Sequence, residues 1–298
     1  MLFESECQIE RTQERLLTNY YSLFKSIFEL FCFEIRFIFP LELLTKKRFR
    51  FRIILIQKKG VIILVEILYV NSKEEGSQKG YEMIREALDN GAKVFGLATG
   101  STPERLYEKL TESDVDFSDA ISVNLDEYVG LPGTHEQSYR YFMEQKLFNQ
   151  KPFKESHLPD GMNEEQAETE RYEAVLSKYP VDIQILGIGH NGHIAFNEPG
   201  TALDSHTHKV ALTQSTINAN KRFFEKESDV PGYAYTMGLA SIMKAKKILL
   251  LAFGEDKAEA IKDLVTATEP TEDIPSTVLV NHPDVTIIVD QAAASLIK

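Results

Sequence analysis

From residue 65 onward, short apolar runs alternate with stretches whose apolar positions recur every three or four residues. The runs at 65–70, 93–98, 121–125, 181–186, 247–252 and 285–289 have the length and the Val, Ile and Leu content of buried strands. Helical spacing fills the gaps between them. Ser72 is placed to cap a first helix carrying Tyr81, Ile84 and Leu88 on one face. Further helices are expected at 101–110, 138–148, 164–176, 217–224 and 256–265. Repeated strand–helix units predict an α/β fold built on an open, mostly parallel, Rossmann-like sheet with helices on both faces. Ligands of such sheets sit beyond the carboxyl ends of the strands, where the strand order reverses. The loops that follow strands are therefore where chemistry is expected.

The first 64 residues are written in a different style. They contain no Ala, no Asp and a single Gly, Gly60, yet hold 9 of the 18 Phe and both cysteines, Cys7 and Cys32. Their apolar run at 26–44 is broken by Glu29, Glu34, Arg36, Pro40 and Glu42, which excludes a membrane span of about 20 apolar residues. The basic start and small-residue cleavage site of a signal peptide are missing too. The expected division is an N-terminal extension over 1–64, either disordered or translated from a start assigned too early, and a single α/β catalytic domain over 65–298. Lys58-Lys59-Gly60-Val61 favours the early start, since a purine-rich ribosome-binding stretch would encode it.

Charge and cysteine content narrow the function. The chain of 298 residues has 45 acidic against 33 basic side chains, a formal charge of -12. The extension is itself basic, with 11 Lys and Arg against 7 Glu, so the acidic excess lies in the body. Sequence-independent nucleic-acid binding needs clustered cations and is excluded. With both cysteines near the start, no disulfide framework or Cys-based zinc site can organise the rest, which points to the reducing cytoplasm. The expected partner is a small molecule, with no nucleic acid and no membrane.

Three loops could carry chemistry. Residues 98–104, Ala-Thr-Gly-Ser-Thr-Pro-Glu, lie between a strand and a helix. Gly100 permits a tight turn, while Ser101 and Glu104 have capping-box spacing. The N–H groups of such a helix start suit a phosphate, although a plain cap explains the same residues. Residues 124–128, Asn-Leu-Asp-Glu-Tyr, bring two carboxylates to a strand end, where one could move a carbon-bound proton. Residues 187–200 follow the strand at 181–186 and begin as Gly-x-Gly-x-x-Gly. No helix opens there, so the dinucleotide reading fails. His190, His193, His206 and His208 do not have the helical spacing that aims two imidazoles at one ion, so no metal is required. His193 precedes Glu198 by five residues, and a carboxylate can fix an imidazole's tautomer.

Taken together, the motifs resemble the glucosamine-6-phosphate deaminase family. They comprise Leu97-Ala98-Thr99-Gly100-Ser101-Thr102-Pro103, Leu125-Asp126-Glu127-Tyr128-Val129-Gly130, Gly192-His193-Ile194-Ala195-Phe196-Asn197-Glu198-Pro199, Asn220-Lys221-Arg222-Phe223-Phe224 and the Lys257 loop. The resemblance implies that Gly100, Ser101, Thr102, Arg222 and Lys257 hold the sugar's phosphate. It implies that His193, with Glu198 and Asn191, opens the ring, and that Asp126 carries the proton between C2 and C1, while Glu127 shapes the loop. No cofactor is implied. Asn191 stands where many members have Asp, which puts the pH optimum in question. Larger hexameric members carry basic residues near the positions of His208 and Val210 and extend past the last strand. Their absence here implies a monomer without an allosteric effector. Two alternatives stay open: a 6-phosphogluconolactonase, whose family shares the fold, and a non-catalytic sugar-phosphate sensor.

Overall fold

A computed structural model describes residues 36–41, 50–58, 61–213 and 230–297, with side chains described from residue 65. The expected helix at 217–224, and with it Arg222, lies outside the described residues.

The described chain opens with strands β1 (Arg36–Leu41), β2 (Arg50–Lys58) and β3 (Val61–Val70). It continues through α1 (Lys73–Asp89), β4 (Val94–Leu97), α2 (Ser101–Glu112), β5 (Ile121–Asn124) and β6 (Asp126–Tyr128). Next come α3 (Tyr139–Met143), which widens into a π turn over Glu144–Phe148, then β7 (Glu155–His157), α4 (Glu165–Lys178) and β8 (Ile183–Leu186). After β9 (His208–Ala211) and β10 (Tyr233–Thr236) follow α5 (Leu239–Ile242), β11 (Lys247–Ala252), α6 (Ala258–Thr266) and β12 (Asp284–Asp290).

Nine strands form one sheet in the order β1-β2-β3-β12-β11-β8-β4-β5-β7. From β3 to β7 all neighbours are parallel, whereas β1, β2 and β3 pair antiparallel. Successive residues of a strand face opposite sides of the sheet. In β8 and along the middle of β11 and β12 every residue is buried, so both faces are covered. That is why Lys-Ile-Leu-Leu-Leu-Ala at β11 reads as a continuous apolar run and not an alternation.

The chain leaves β4 toward β5 and β7, then returns to β8 and proceeds the other way through β11 to β12, which lies beside β3. The order therefore reverses between adjacent β4 and β8. The loops 98–101 and 187–200 emerge side by side at that point.

Ser72 caps α1, its hydroxyl accepting from the Glu75 N–H at 3.2 Å. The capping box expected at Ser101 is not formed. Gly100 takes the cap position with φ +87°, Ser101 is the first helical residue, and no side chain caps α2. The positive φ suits glycine, and it turns the start of α2 back on β4 without a side chain in the way.

A second sheet, β6-β10-β9, is antiparallel and was not anticipated. Its strands are three or four residues long, too short for a periodic signal. It has its own small core of Tyr128, Leu131, Phe196, Leu212 and Ala234.

Candidate active site

The Asp126 carboxyl is buried, on a strand of the small sheet that starts just beyond the end of β5. Removal from water, with the Glu127 charge next to it, pushes its pKa up to about 8. Glu127, the next residue, sends its side chain to the other face of β6. There its Oε1 accepts the N–H of Tyr128 at 2.8 Å and of Tyr139 at 2.9 Å, while Oε2 accepts that of Arg140 at 2.9 Å. Burial raises Glu127 to about 7, although those three bonds pull the other way. Glu127 thus staples the start of α3 to β6 and leaves Asp126 as the carboxyl without a structural partner among the described hydrogen bonds.

The loop after β8 builds an imidazole site. Asn191 Oδ1 lies 2.7 Å from His193 Nδ1, and Asn191 Nδ2 donates to Glu198 Oε2 at 2.7 Å. Glu198 Oε1 is 3.3 Å from the same Nδ1. An amide oxygen and a carboxylate only accept, so Nδ1 carries the proton and Nε2 is left with a lone pair. Burial would raise the Glu198 pKa, but the His193 and Asn191 contacts outweigh it and hold the carboxylate below its ordinary value. The ring lies flat on Gly189, where a Cβ would sit 2.2 Å from His193 Cε1. At Gly192, φ is +80° and a Cβ would meet Ile274 at 2.6 Å. This loop needs glycine for close approach, not for a dinucleotide.

One strand joins the two halves. Thr236 of β10 is paired with Asp126 across the small sheet, and its hydroxyl accepts the Phe196 N–H at 3.2 Å. Asn197 Nδ2 donates to the Met237 carbonyl at 2.9 Å, and the Met237 N–H donates to the Leu125 carbonyl at 2.7 Å. The Asp126 strand and the His193–Glu198 loop are therefore two hydrogen-bonded steps apart.

The phosphate candidates are less completely drawn together. Gly100 and Ser101 are exposed at the uncapped start of α2, and a Cβ on Gly187 would lie 3.8 Å from Thr102 Oγ1, so this turn abuts the His193 loop. Lys257 follows β11 at the same sheet edge, and its ammonium is 2.9 Å from Asp256 Oδ2. Lys73, in no motif singled out above, donates to the Ser101 carbonyl at 2.5 Å. Among the described residues there is no cluster of three or more metal-ligating side chains. A cavity of about 370 Å³ opens on the Glu127 side of β6, lined by Arg140, His157, Asp160 and Arg171 among others. Neither Asp126 nor His193 lines it, and its guanidinium groups are already paired, Arg140 with Glu144 and Arg171 with Glu168.

A doubly wound α/β sheet with a buried carboxyl and an oriented imidazole at its switch point defines an acid–base enzyme. The model of the glucosamine-6-phosphate isomerase/6-phosphogluconolactonase family matches residues 73–288, and the chain belongs to that family. It is 58% identical over 235 residues to the glucosamine-6-phosphate deaminase of Ligilactobacillus salivarius, a match covering 78% of this chain and 100% of that one. Identity to the deaminase of Enterococcus faecalis is 59% over 232 residues, 78% of this chain and 99% of the relative. A solved monomeric glucosamine-6-phosphate deaminase superposes with a TM-score of 0.74 at 39% identity, covering 77% of this chain and 99% of that one. The 6-phosphogluconolactonase of Leishmania guyanensis, at 22% identity and a TM-score of 0.62 over 76% of this chain and 96% of its own, shares the fold.

Two outcomes follow from the electrostatics. Because the folded-state pKa of Asp126 is raised, the native protein keeps a proton that the unfolded chain releases between the ordinary carboxylate range and about pH 8. The stability this group contributes is full below that window and is lost as pH rises through it. Asp126→Asn should accordingly gain stability over wild type as pH rises, by on the order of 1 kcal/mol or more above pH 8. Denaturant melts at pH 5 and pH 9 with the same difference between the two proteins would contradict this. Asn191→Asp replaces a donor to Glu198 with a second carboxylate, which favours protonated imidazole. The acid limb of its pH–rate profile should move to higher pH, and a superimposable profile would show that charge at position 191 is not felt by His193.

Proposed function

We propose that this chain is a glucosamine-6-phosphate deaminase, converting that sugar phosphate and water to fructose 6-phosphate and ammonia. The observation that carries the reading is the Thr236 bridge, which ties the strand of a buried carboxyl to the loop of an imidazole of fixed tautomer at the switch point of the sheet. The near full-length identity to deaminases, against 22% to a lactonase, favours this reaction over lactone hydrolysis.

The residues have chemically distinct tasks. His193 Nε2 takes the proton of the anomeric hydroxyl and returns it to the ring oxygen, opening the pyranose. Glu198 and Asn191 hold the other ring nitrogen. Asp126, as the carboxylate, removes the proton from C2 while a proton of the C2 ammonium passes to O1, giving an enolamine; it then delivers its proton to C1, leaving an iminium at C2 that water hydrolyses to the ketone with loss of ammonia. A buried carboxyl with a pKa of about 8 is mostly protonated at neutral pH. The substrate's ammonium on C2 supplies the positive charge that shifts it to the ionised form when bound. The N–H groups at the start of α2, with Ser101, Thr102, Arg222 and Lys257, hold the phosphate, and Arg suits a dianion through its paired donors. These steps need neither a metal nor an organic cofactor. The protein acts as a cytoplasmic monomer without an allosteric effector.

Ammonia release from glucosamine 6-phosphate tests the assignment. Asp126→Asn and His193→Gln should each lose about a hundredfold to ten-thousandfold in kcat; full turnover by Asp126→Asn would remove it from the proton transfer. We also propose that residues 65–298 form the catalytic domain. The β3–β12 ladder uses residues 64–70 with 284–290, so a chain beginning at Leu64 keeps it whole and gives up only the pairing with β2. That chain should turn over within about twofold of the full protein, since the family match at residues 73–288 lies wholly inside it. This range is smaller than the tenfold that 1.4 kcal/mol would produce. Inactivity of the shortened chain alone would count against the division.

A further inference from the structure

Tyr139 stands where the three site loops meet. Its ring is 4.6 Å from that of Tyr128, on the Asp126 strand, and stacks parallel to Phe196 at 6.1 Å, inside the His193–Glu198 loop. Its hydroxyl donates to the Tyr128 hydroxyl at 3.1 Å. The Thr99 side chain, in the turn that leads to Gly100, lies close enough to the same phenol to act on its ionisation. The backbone N–H of Tyr139 is held by Glu127. One side chain therefore touches the phosphate turn through Thr99, the acid strand through Tyr128 and the imidazole loop through Phe196.

The phenol is suited to this. Burial, then the neighbouring Tyr128 and Asp126, push its ionisation well above the ordinary tyrosine value, so it remains a neutral donor and acceptor throughout the working range. A ring between two aromatic neighbours has little freedom to rotate, and its hydroxyl is fixed in turn.

We propose that Tyr139 is a positioning residue for the proton transfer, setting the distance between the phosphate-holding turn and the Asp126 carboxyl through its hydrogen bond to Tyr128, its stack on Phe196 and its contact with Thr99. The proposal rests on the deaminase reading. Phosphate capture depends on the turn itself and survives the loss of that link. The alignment of C2 with Asp126 does not, and misplacement on the ångström scale costs about a hundredfold in rate.

The test is steady-state ammonia release by the full chain on glucosamine 6-phosphate carrying hydrogen or deuterium at C2. Tyr139→Phe keeps the ring and removes the hydroxyl, with its Tyr128 bond and its Thr99 contact. It should lower kcat by about tenfold to a hundredfold with KM changed by less than about threefold, and raise the C2 isotope effect on kcat above that of wild type. A variant that merely leaves fewer molecules folded lowers kcat without changing the isotope effect. Thr99→Val removes the same link from the other side without touching the aromatic cluster. It should show the same pattern, and it keeps the test decisive if Tyr139→Phe folds poorly. Wild-type kcat and isotope effect in either well-folded variant would overturn the proposal. A wild-type chain that releases no ammonia would overturn the deaminase reading and this proposal with it.

Discussion

A parallel strand can be followed by another only through a crossover, and here the crossovers leave β4 and β8 in opposite directions. Between their carboxyl ends nothing can pass over the sheet edge, so a crevice is left there by connectivity alone. Every polar group assigned to the reaction among the described residues lies on a loop that opens at this edge or on the short sheet laid against it. The apolar strands below, buried on both faces, make the edge rigid. A carboxyl can then be kept out of water without the surroundings relaxing to hydrate it, which is the origin of the raised Asp126 pKa.

The neighbouring carboxylates Asp126 and Glu127 show how a fold divides two like groups between two roles. Strand alternation sends them to opposite faces of β6. Glu127 meets the open end of α3 and is consumed by three backbone N–H bonds. Asp126 meets no such donors among the described residues, so its carboxyl is not consumed in this way. In the same way, the glycines of the loop after β8 serve packing: Gly189 gives its missing side chain to the face of His193, and Gly192 gives its own to Ile274. A Gly-x-Gly-x-x-Gly pattern in this setting shapes an imidazole platform.

Much of this was legible in the sequence because it was periodic. The strand at 247–252 agrees with β11 to the residue, and the parallel sheet follows from the run of strand–helix units. What periodicity could not reveal was short or long-range. The sheet β6-β10-β9 joins residues more than a hundred positions apart through strands of three or four residues, and Thr236 gave no local sign of bridging Asp126 to Phe196. Tyr139 falls inside the helix expected at 138–148, with nothing local to single it out. Ser101 read as a cap, yet Gly100, free to adopt φ +87°, takes that place. The local signals were correct about which residue types occur at the turn and silent about which one the backbone would choose.

The uncapped start of α2 bears on how the site handles charge. A side-chain cap would satisfy the first N–H donors permanently, and binding a phosphate would then mean displacing it. With Gly100 at the cap position no such competitor exists, and the helix's positive end faces the crevice in a chain whose overall charge is -12. A dianion arriving at such a surface is repelled at long range and gains only at close contact, where the backbone donors and the local cations act together within a screening length of about 8 Å. In the proposed reaction, selectivity for a phosphorylated sugar over a neutral one would then come from the edge of a helix and a few side chains, while the general acidity of the surface would turn away larger polyanions.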